Sequence, residues 1–517
     1  MTILAALLAS ALLLSPTGDV DPDAGVELSL LQAIEEAFAN NLALKGALLQ
    51  AESSMQGFNA AWGDFDTTFF ANATQSEDVN PPTPTTFIGS LPAPGTPKSE
   101  TDIFSLNTGF RGQLQTGTTW DLSMFAQNRE TENRTKPTST KSETYVANWR
   151  LSVTHPLLKG GDDYATSGIR LAAQDVRIAS LDAEVTANDT IALVVTAYWN
   201  LVFAQQNAET RDLSVELARD LLDITRRKFD QGLQNRIDVI EVEAELALRI
   251  EEQLTAHNQL DQSMDDLREM TFAPQHQSGW SGTILPVTDY TVLPDEVPST
   301  EVAIMLAMER RPDVVRARMA VERAEIEIER AENQTDPTLN LTGQYGVNAQ
   351  NRNFGKTAQD LDDTSHHNLE LALAFEMPLG NRGAGYTLRR RQVDRERAVV
   401  SKAEAELNAI AEVRQTSRDV TLQRARVVAT AETTRLRREV YDGEKRRLEN
   451  DLSTPFQVRE AQRDLLTAID SELRARLDLA VAHTTYRAAQ GTLLDRFGYS
   501  RFDPDVSLDA APPAWDG

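Results

Sequence analysis

The sequence predicts an α+β membrane protein, with strands of a transmembrane β-barrel set between very long coiled-coil helices, in two structural repeats. Three observations predict it. Two proline-free segments, Tyr164 to Gln231 and Tyr386 to Asn450, carry apolar or small residues at spacings of three and four. Several stretches of about ten residues alternate apolar and polar side chains, as membrane strands do. Both patterns recur in the same order in the two halves of the chain.

Composition narrows the class. The chain has 517 residues, no cysteine and a formal net charge of −27, from 51 basic and 78 acidic residues. Without cysteine there is no disulfide framework, thiolate metal site, cysteine nucleophile or lipid anchor on an N-terminal cysteine. The negative charge argues against nucleic acid as a partner, because phosphates select basic faces. No run of eighteen apolar residues follows the N-terminus, which rules out a bundle of membrane helices. Ile3 to Leu14 is almost wholly apolar and precedes Ser15-Pro16-Thr17-Gly18. It is too short to span a bilayer and reads as an export signal over residues 1–24, cleaved between Ser15 and Gly25. No Lys or Arg precedes it, and the alternative is a frayed apolar tail.

The repeat is read from offsets. Ala33-Ile34-Glu35-Glu36-Ala37 and Ala303-Ile304-Met305-Leu306-Ala307 share spacing at an offset of 270. Pro156 matches Pro378 at 222, and Phe229-Asp230-Gln231-Gly232-Leu233 matches Leu448-Glu449-Asn450-Asp451-Leu452 at 219. The first repeat covers residues 25–272 and the second 299–499. A Pro-, Gly- and Thr-rich connection runs over 273–298, and a tail over 500–517. The fall in offset gives the first repeat about 48 extra residues. Each half opens with a helix, the first after a capping box at Ser29-Leu30-Leu31-Gln32, the second after Ser299.

Strands follow in each half. Phe104, Leu106, Phe110, Trp120, Leu122, Tyr145, Trp149 and Leu151 fall on the apolar faces of residues 103–114, 119–127 and 145–154. Leu339, Leu341 and Tyr345 do so over 339–347, and Leu371, Leu373 and Phe375 over 369–377. Residues 66–75 form a weaker sixth strand around Phe69 and Phe70. These apolar residues are expected to face lipid and their polar neighbours a water-filled lumen. The same alternation also fits a soluble sheet packed on helices. Loops are expected over 76–101 and 129–142, with a tight turn at Gln115-Thr116-Gly117 between them. Long, short, long is the order of outer loops and inner turns. The extra residues are therefore read as one added transmembrane hairpin, six strands per chain; the competing reading is a hairpin projecting above the barrel, with Trp120 packed on Phe110. Four to six strands are fewer than the roughly eight of the smallest membrane barrel, so the chain must assemble to close its edges.

The long segments read as helices of roughly 100 Å at ~1.5 Å per residue, more than a globular core requires. Return helices are expected over Arg236 to Met270 and Pro455 to Arg496, packed as coiled coils. Tyr386 to Arg447 carries a net charge of +6 and Asp162 to Gln231 a net of −5, which suggests complementary flanks between neighbouring helices.

Several junctions are similar to those of the TolC family of outer-membrane efflux proteins. They are Leu28-Ser29-Leu30-Leu31-Gln32-Ala33-Ile34 with Asn40-Asn41, and Ala303 to Arg310-Arg311-Pro312-Asp313. His155-Pro156-Leu157-Leu158-Lys159-Gly160-Gly161 and Met377-Pro378-Leu379-Gly380 match the family's strand-to-helix junctions. Arg227-Lys228-Phe229-Asp230-Gln231-Gly232-Leu233, followed by Asp238-Val239-Ile240-Glu241, matches its helical turnaround. The resemblance runs from Val26 to Tyr499. It implies a homotrimer with a barrel in the outer membrane, continuous with an α-helical barrel in the periplasm. It further implies docking to a periplasmic adaptor and an inner-membrane pump, for efflux or type I secretion, with no catalytic site and no cofactor. On that pattern Asp238, Glu241 and Glu460 line the periplasmic aperture. Gly232, Leu233, Asp451 and Leu452 form the adaptor-docking turns. Gln457 stands where the pattern has a second acid. A class that the residues leave open is a periplasmic structural or adaptor-like coiled-coil protein.

No dinucleotide loop, phosphate loop, His-Glu-x-x-His or Gly-x-Ser-x-Gly is present. His366-His367 is the one histidine pair, and adjacent strand residues face opposite sides, so it reads as a solvated pair at a loop edge. Glu241, Glu243 and Glu245 spread around a helix surface.

Overall fold

The computed structural model describes residues 26–88, 91–93, 95–135, 138–232, 234–272, 282–289, 298–450 and 452–499, with Val506 and Leu508. The expected export signal, Leu233 and Asp451 lie outside the described residues. Two compact units emerge, and they do not coincide with the repeats. A helical unit comprises residues 1–53, 176–319 and 399–505; a sheet unit comprises 54–175, 320–398 and 506–517.

In the first repeat, β1 (Val26–Leu28) leads to α1 (Leu30–Asn40). Ser29 Oγ accepts from Gln32 N at 3.3 Å, and the Gln32 carboxamide oxygen accepts from Ser29 N at 2.9 Å, which satisfies two free donors at the helix start. The opening helix then breaks, contrary to a single-helix reading. Asn41 is extended and its side chain accepts from Leu44 N at 2.9 Å, so one residue ends α1 and caps α2 (Leu42–Ala61). A 3-10 turn, Trp62–Phe65, precedes β2 (Thr68–Asn80). A small hairpin of β3 (Thr86–Ile88) and β4 (Leu91–Ala93) precedes β5 (Lys98–Gln113), β6 (Thr119–Thr135) and β7 (Thr138–Pro156). Then come α3 (Asp162–Ala165), the 64-residue α4 (Ser167–Asp230) and α5 (Arg236–Thr271).

The expected loop at 129–142 is mostly strand, because β6 and β7 stay paired out to Thr135 and Thr138. Likewise β2 and β5 stay paired out to Asn80 and Ser99. The cause is composition: threonine favours extended backbone, and cross-strand pairs such as Lys141 to Glu130 at 2.7 Å hold a hydrated ribbon.

In the connecting segment β8 (Ile284–Pro286) pairs in parallel with β1. The second repeat has α6 (Thr300–Arg310) and α7 (Pro312–Asn333), broken at Arg311, which is extended because Pro312 follows it. β9 (Thr338–Asn351), a short α8 (Phe354–Asp360) that the sequence did not announce, and β10 (His367–Glu376) lead to α9 (Arg382–Glu449) and α10 (Pro455–Ala489). The return helix expected to reach Arg496 stops at Ala489. Gly491, at φ 69°, turns the chain before α11 (Leu493–Arg496).

The helical unit packs around Ile34, Leu44, Ile191, Tyr198, Leu201 and Leu267. Buried Tyr198 donates its hydroxyl to Leu28 O and accepts from Thr288 N, both at 3.0 Å, tying the β1/β8 ribbon to α4. Asp212 of α4 accepts from Gln253 at 2.7 Å and lies 3.0 Å from His257, both on α5. Arg211 of α4 bridges to Asp470 of α10. Arg437 and Arg426 of α9 pair with Asp464 and Asp478 of α10 at 2.7 and 3.1 Å. Along these ion pairs α5 flanks α4 and α9 flanks α10. The basic α9 thus meets acids of its neighbour α10.

Candidate membrane-facing and channel-lining surfaces

The sheet unit contains one six-stranded antiparallel sheet in the order β10-β9-β7-β6-β5-β2. Register decides which side chains share a face. Phe69, Phe110, Leu122, Leu151, Tyr345 and Leu369 form one row straight across it. The adjoining rows put Phe104 level with Tyr145 across Asn128, Leu106 beside Ala126, and Met124 beside Trp149. Trp120 stands level with Leu371, and Leu341 pairs with Leu373 and Leu339 with Phe375. Thus Phe104, Leu106, Phe110, Trp120, Leu122, Tyr145, Trp149, Leu151, Leu339, Leu341, Tyr345, Leu371, Leu373 and Phe375 all lie on one face. The opposite face carries Arg111, Asp121, Ser152, Gln344 and Glu370 in one row, and Asn72, Asn107, Asn148 and Asn348, with Phe125 among them, in another.

Packing on the apolar face is local. Phe110 meets Phe69 at 5.3 Å and Trp149 meets Tyr345 at 5.5 Å. Trp120 lies over Gly112, where an added Cβ would come within 3.0 Å of its ring. Leu371 is 76% and Phe375 63% exposed. From Leu339 to Ala349 the strand advances roughly 33 Å. At a tilt of ~45° that stands about 23 Å, close to the ~25 Å apolar band of a membrane barrel. Beyond the band the same face turns acidic, with Glu77, Asp102, Glu130 and Glu143 level across four strands.

The turn at Gln115-Thr116-Gly117 sits at the end of the sheet where β7 leaves for α3. Gly117 has φ 76°, and a Cβ there would lie 2.0 Å from Gly160 O. His155 and Thr118 hydrogen bond at 2.8 Å beside it. Gly160 N in turn donates to Asn333 Oδ1 at 2.9 Å.

The helical turnarounds are built by capping. Asn235 Oδ1 accepts from Ile237 N and Asp238 N at 2.9 and 3.2 Å, and Asp238 Oδ2 accepts from Asn235 N at 3.1 Å. In the second repeat Thr454 and Gln457 exchange the same two bonds, at 3.4 and 3.3 Å. Gln457 thus replaces Asp238 in its role, although not in charge. Glu241 is exposed and 4.0 Å from Arg459; Glu460 pairs with Arg463. Sequence reasoning missed both basic partners: Arg463 stands three residues on along the same helix, a spacing that could have found it, whereas Arg459 reaches Glu241 from another helix, which no spacing encodes. It also missed Lys228, whose Nζ donates to Leu448 O at 2.9 Å and links the two turnarounds. Gly232, at φ 75°, ends α4 with its N–H on Phe229 O at 2.9 Å. Leu452 is exposed and its N–H returns to Arg447 O at 2.8 Å. Leu221, Leu222, Val242, Leu448 and Val458 gather the four helices there into one apolar cluster.

His366 ends a 3-10 turn and His367 begins β10, stacked on Tyr345 at 6.2 Å. Among the described residues no group of three or more His, Cys, Asp or Glu could hold a metal ion, and no helix is long and apolar enough to cross a membrane.

Comparison with known proteins bears on these surfaces. The profile of the outer membrane efflux protein family matches residues 119–271 and 303–492. Among solved structures, VceC of Vibrio cholerae shares 15% identity over 89% of this chain and 96% of its own, with a TM-score of 0.62. The CmeC outer membrane channel of Campylobacter jejuni shares 15% over 92% and 87%, at 0.61. The open state of the MtrE outer membrane channel of Neisseria gonorrhoeae shares 16% over 90% and 89%, at 0.62. At these identities the likeness is one of fold. No curated sequence relative matches the chain.

Proposed function

Because the chain belongs to the outer membrane efflux protein family, we propose that three copies close into one conduit that docks to a periplasmic adaptor and an inner-membrane pump. The chain is an outer-membrane efflux channel subunit, a passive conduit rather than an enzyme. The observation that carries the assembly is the sheet, apolar on one face, polar on the other, with β2 and β10 as open edges. Unpaired backbone edges are not tolerated in lipid. With an even number of strands, β10 of one copy runs antiparallel to β2 of the next. Three copies of six strands give eighteen, with the added hairpin inside the membrane. The soluble-sheet alternative would leave Leu371, Leu373 and Phe375 in water; extraction by carbonate without detergent would favour it.

The helical edges support closure as well. α5 carries 3 basic and 10 acidic residues, and α9 carries 17 basic and 11 acidic. Both expose apolar side chains, Leu248 and Leu254 on α5, Leu422 and Leu436 on α9. An acidic edge and a basic edge, each with exposed apolar side chains, are complementary in a closed ring.

Asp238, Glu241 and Glu460, each repeated threefold, form the periplasmic aperture in this reading. Gly232, Leu233, Asp451 and Leu452 form the turns that meet the adaptor. The aperture field is mixed. Asp238 lies at a helix N-terminus, whose dipole offsets part of its charge; Arg463 closes tightly on Glu460, whereas Arg459 comes only to 4.0 Å from Glu241. Glu241 is therefore the main cation-attracting group. Purified protein in planar bilayers is expected to conduct and to prefer cations. Glu241→Gln should remove most of the preference that the triple variant with Asp238→Asn and Glu460→Gln removes. An unchanged reversal potential in the triple variant would refute the acidic aperture.

A further inference from the structure

We infer that the helical unit holds a binding site for a compact organic cation, in a cleft where α4, α9 and α10 diverge. The cleft has a volume of about 400 Å³, in the range of small-molecule sites, roughly 300–1,000 Å³. Trp199, Leu477 and Val481 give it an apolar wall, and Trp199 and Leu477 are buried.

Most of its polar lining is already engaged. The hydroxyls of Thr196, Thr416 and Thr485 all donate back to their own helices, at 2.8, 2.8 and 3.0 Å. Arg474 is committed to Asp478 at 2.8 Å, and the second Asp478 oxygen takes Arg426 at 3.1 Å. Two groups remain. Asp419 forms no hydrogen bond or ion pair among the described residues. Gln423 Oε1 is buried without a partner. They stand four residues apart on α9, hence on one face of the helix. Both present acceptor oxygens without a partner, so an occupant that satisfies them must donate. Arg474 and Arg426 both engage Asp478, which leaves Asp419 as the lining carboxylate without an ion pair among the described residues and makes a cation its favoured donor. The indole face of Trp199 suits the flat, apolar body of such a ligand and attracts its charge. An aryl amidine meets all three demands: two N–H groups for Asp419 and Gln423, a delocalised charge, and a ring for the apolar wall.

The test is calorimetric titration of the full-length, detergent-solubilised assembly with benzamidine. Saturable binding is expected, with no measurable binding of benzamide, which has the same shape without the charge. Asp419→Asn should weaken benzamidine roughly tenfold or more through loss of the charge-assisted bond. Gln423→Met should weaken it by a smaller factor. Retained heat-resistance of each assembly shows that the variants fold; if Asp419→Asn does not fold, Gln423→Met and the benzamide comparison decide. Three results would overturn the site: no saturable binding to the wild type, as when a neighbouring copy fills the cleft; equal binding of benzamide; or unchanged affinity in both variants. Conductance tests the channel separately, so failure here leaves that reading standing.

Discussion

Gly117 and Gly232 both adopt left-handed backbone, yet substitution should cost them different amounts. At Gly232 an added Cβ meets nothing within 4 Å, so Gly232→Ala costs only the conformational term, about 1 kcal/mol. At Gly117 the same methyl would overlap Gly160 O. Gly117→Ala should cost about 3 kcal/mol, combining backbone strain with overpacking. Denaturant unfolding of the two variants in detergent checks the order. A third residue-scale prediction concerns Arg311, which is largely buried and pairs with Asp313 at 2.8 Å and Glu412 at 2.7 Å. Burial pushes the Asp313 carboxyl up, but the Arg311 guanidinium outweighs it and holds the net value below the usual carboxylate range. The stabilisation from Asp313 is therefore complete above the unfolded value of about 3.9 and is lost as pH falls through the lower folded value. Arg311→Met should destabilise the helical unit by about 2 kcal/mol at pH 7. That is less than the ~3–5 kcal/mol of a fully buried pair, because Asp313 is one-third exposed. It should also flatten the acid limb of a melting-temperature profile between pH 5 and pH 2.

At the scale of elements, one joint is made twice by different chemistry. Asn41 caps α2 with its own side chain, whereas Pro312 forces Arg311 out of the helix. The turnarounds repeat the lesson with Asn235/Asp238 and Thr454/Gln457. What recurs is satisfaction of free helix donors, not residue identity. The edge helices α5 and α9 give the next prediction. Leu254→Asp in α5 or Leu422→Asp in α9 puts a charge in place of an exposed apolar side chain on an edge helix. Each is expected to convert a heat-resistant trimer on detergent gels to monomer while leaving the helical circular dichroism unchanged. Trimers that survive both changes would place the contact elsewhere.

For the whole molecule the topology of the sheet is open to direct labelling, because the chain has no cysteine. Gln115 is exposed in the turn beside Gly160, and Lys141 is exposed at the opposite end of the sheet. On intact cells a membrane-impermeant maleimide is expected to modify Lys141→Cys and to spare Gln115→Cys until the outer membrane is opened. Labelling of both would favour a hairpin that projects above the barrel.

The sequence by itself determined the period of every major element, because period is a local property: two for strands that separate lipid from water, between three and four for coiled helices. It therefore placed the apolar strand residues on one face, announced the capping box at Ser29, and set the repeat. Only the tertiary structure decided how far the strands run, since polar Thr-rich ribbons such as Thr119–Thr135 hold together through cross-strand partners that no single strand reveals. It alone decided the pairing of β7 with β9, which joins the repeats across 188 residues at Thr154 and Thr342. It also decided that Arg459 approaches Glu241 and Lys228 meets Leu448, because a partner on another helix depends on what packing brings within reach, and spacing along one helix does not encode that.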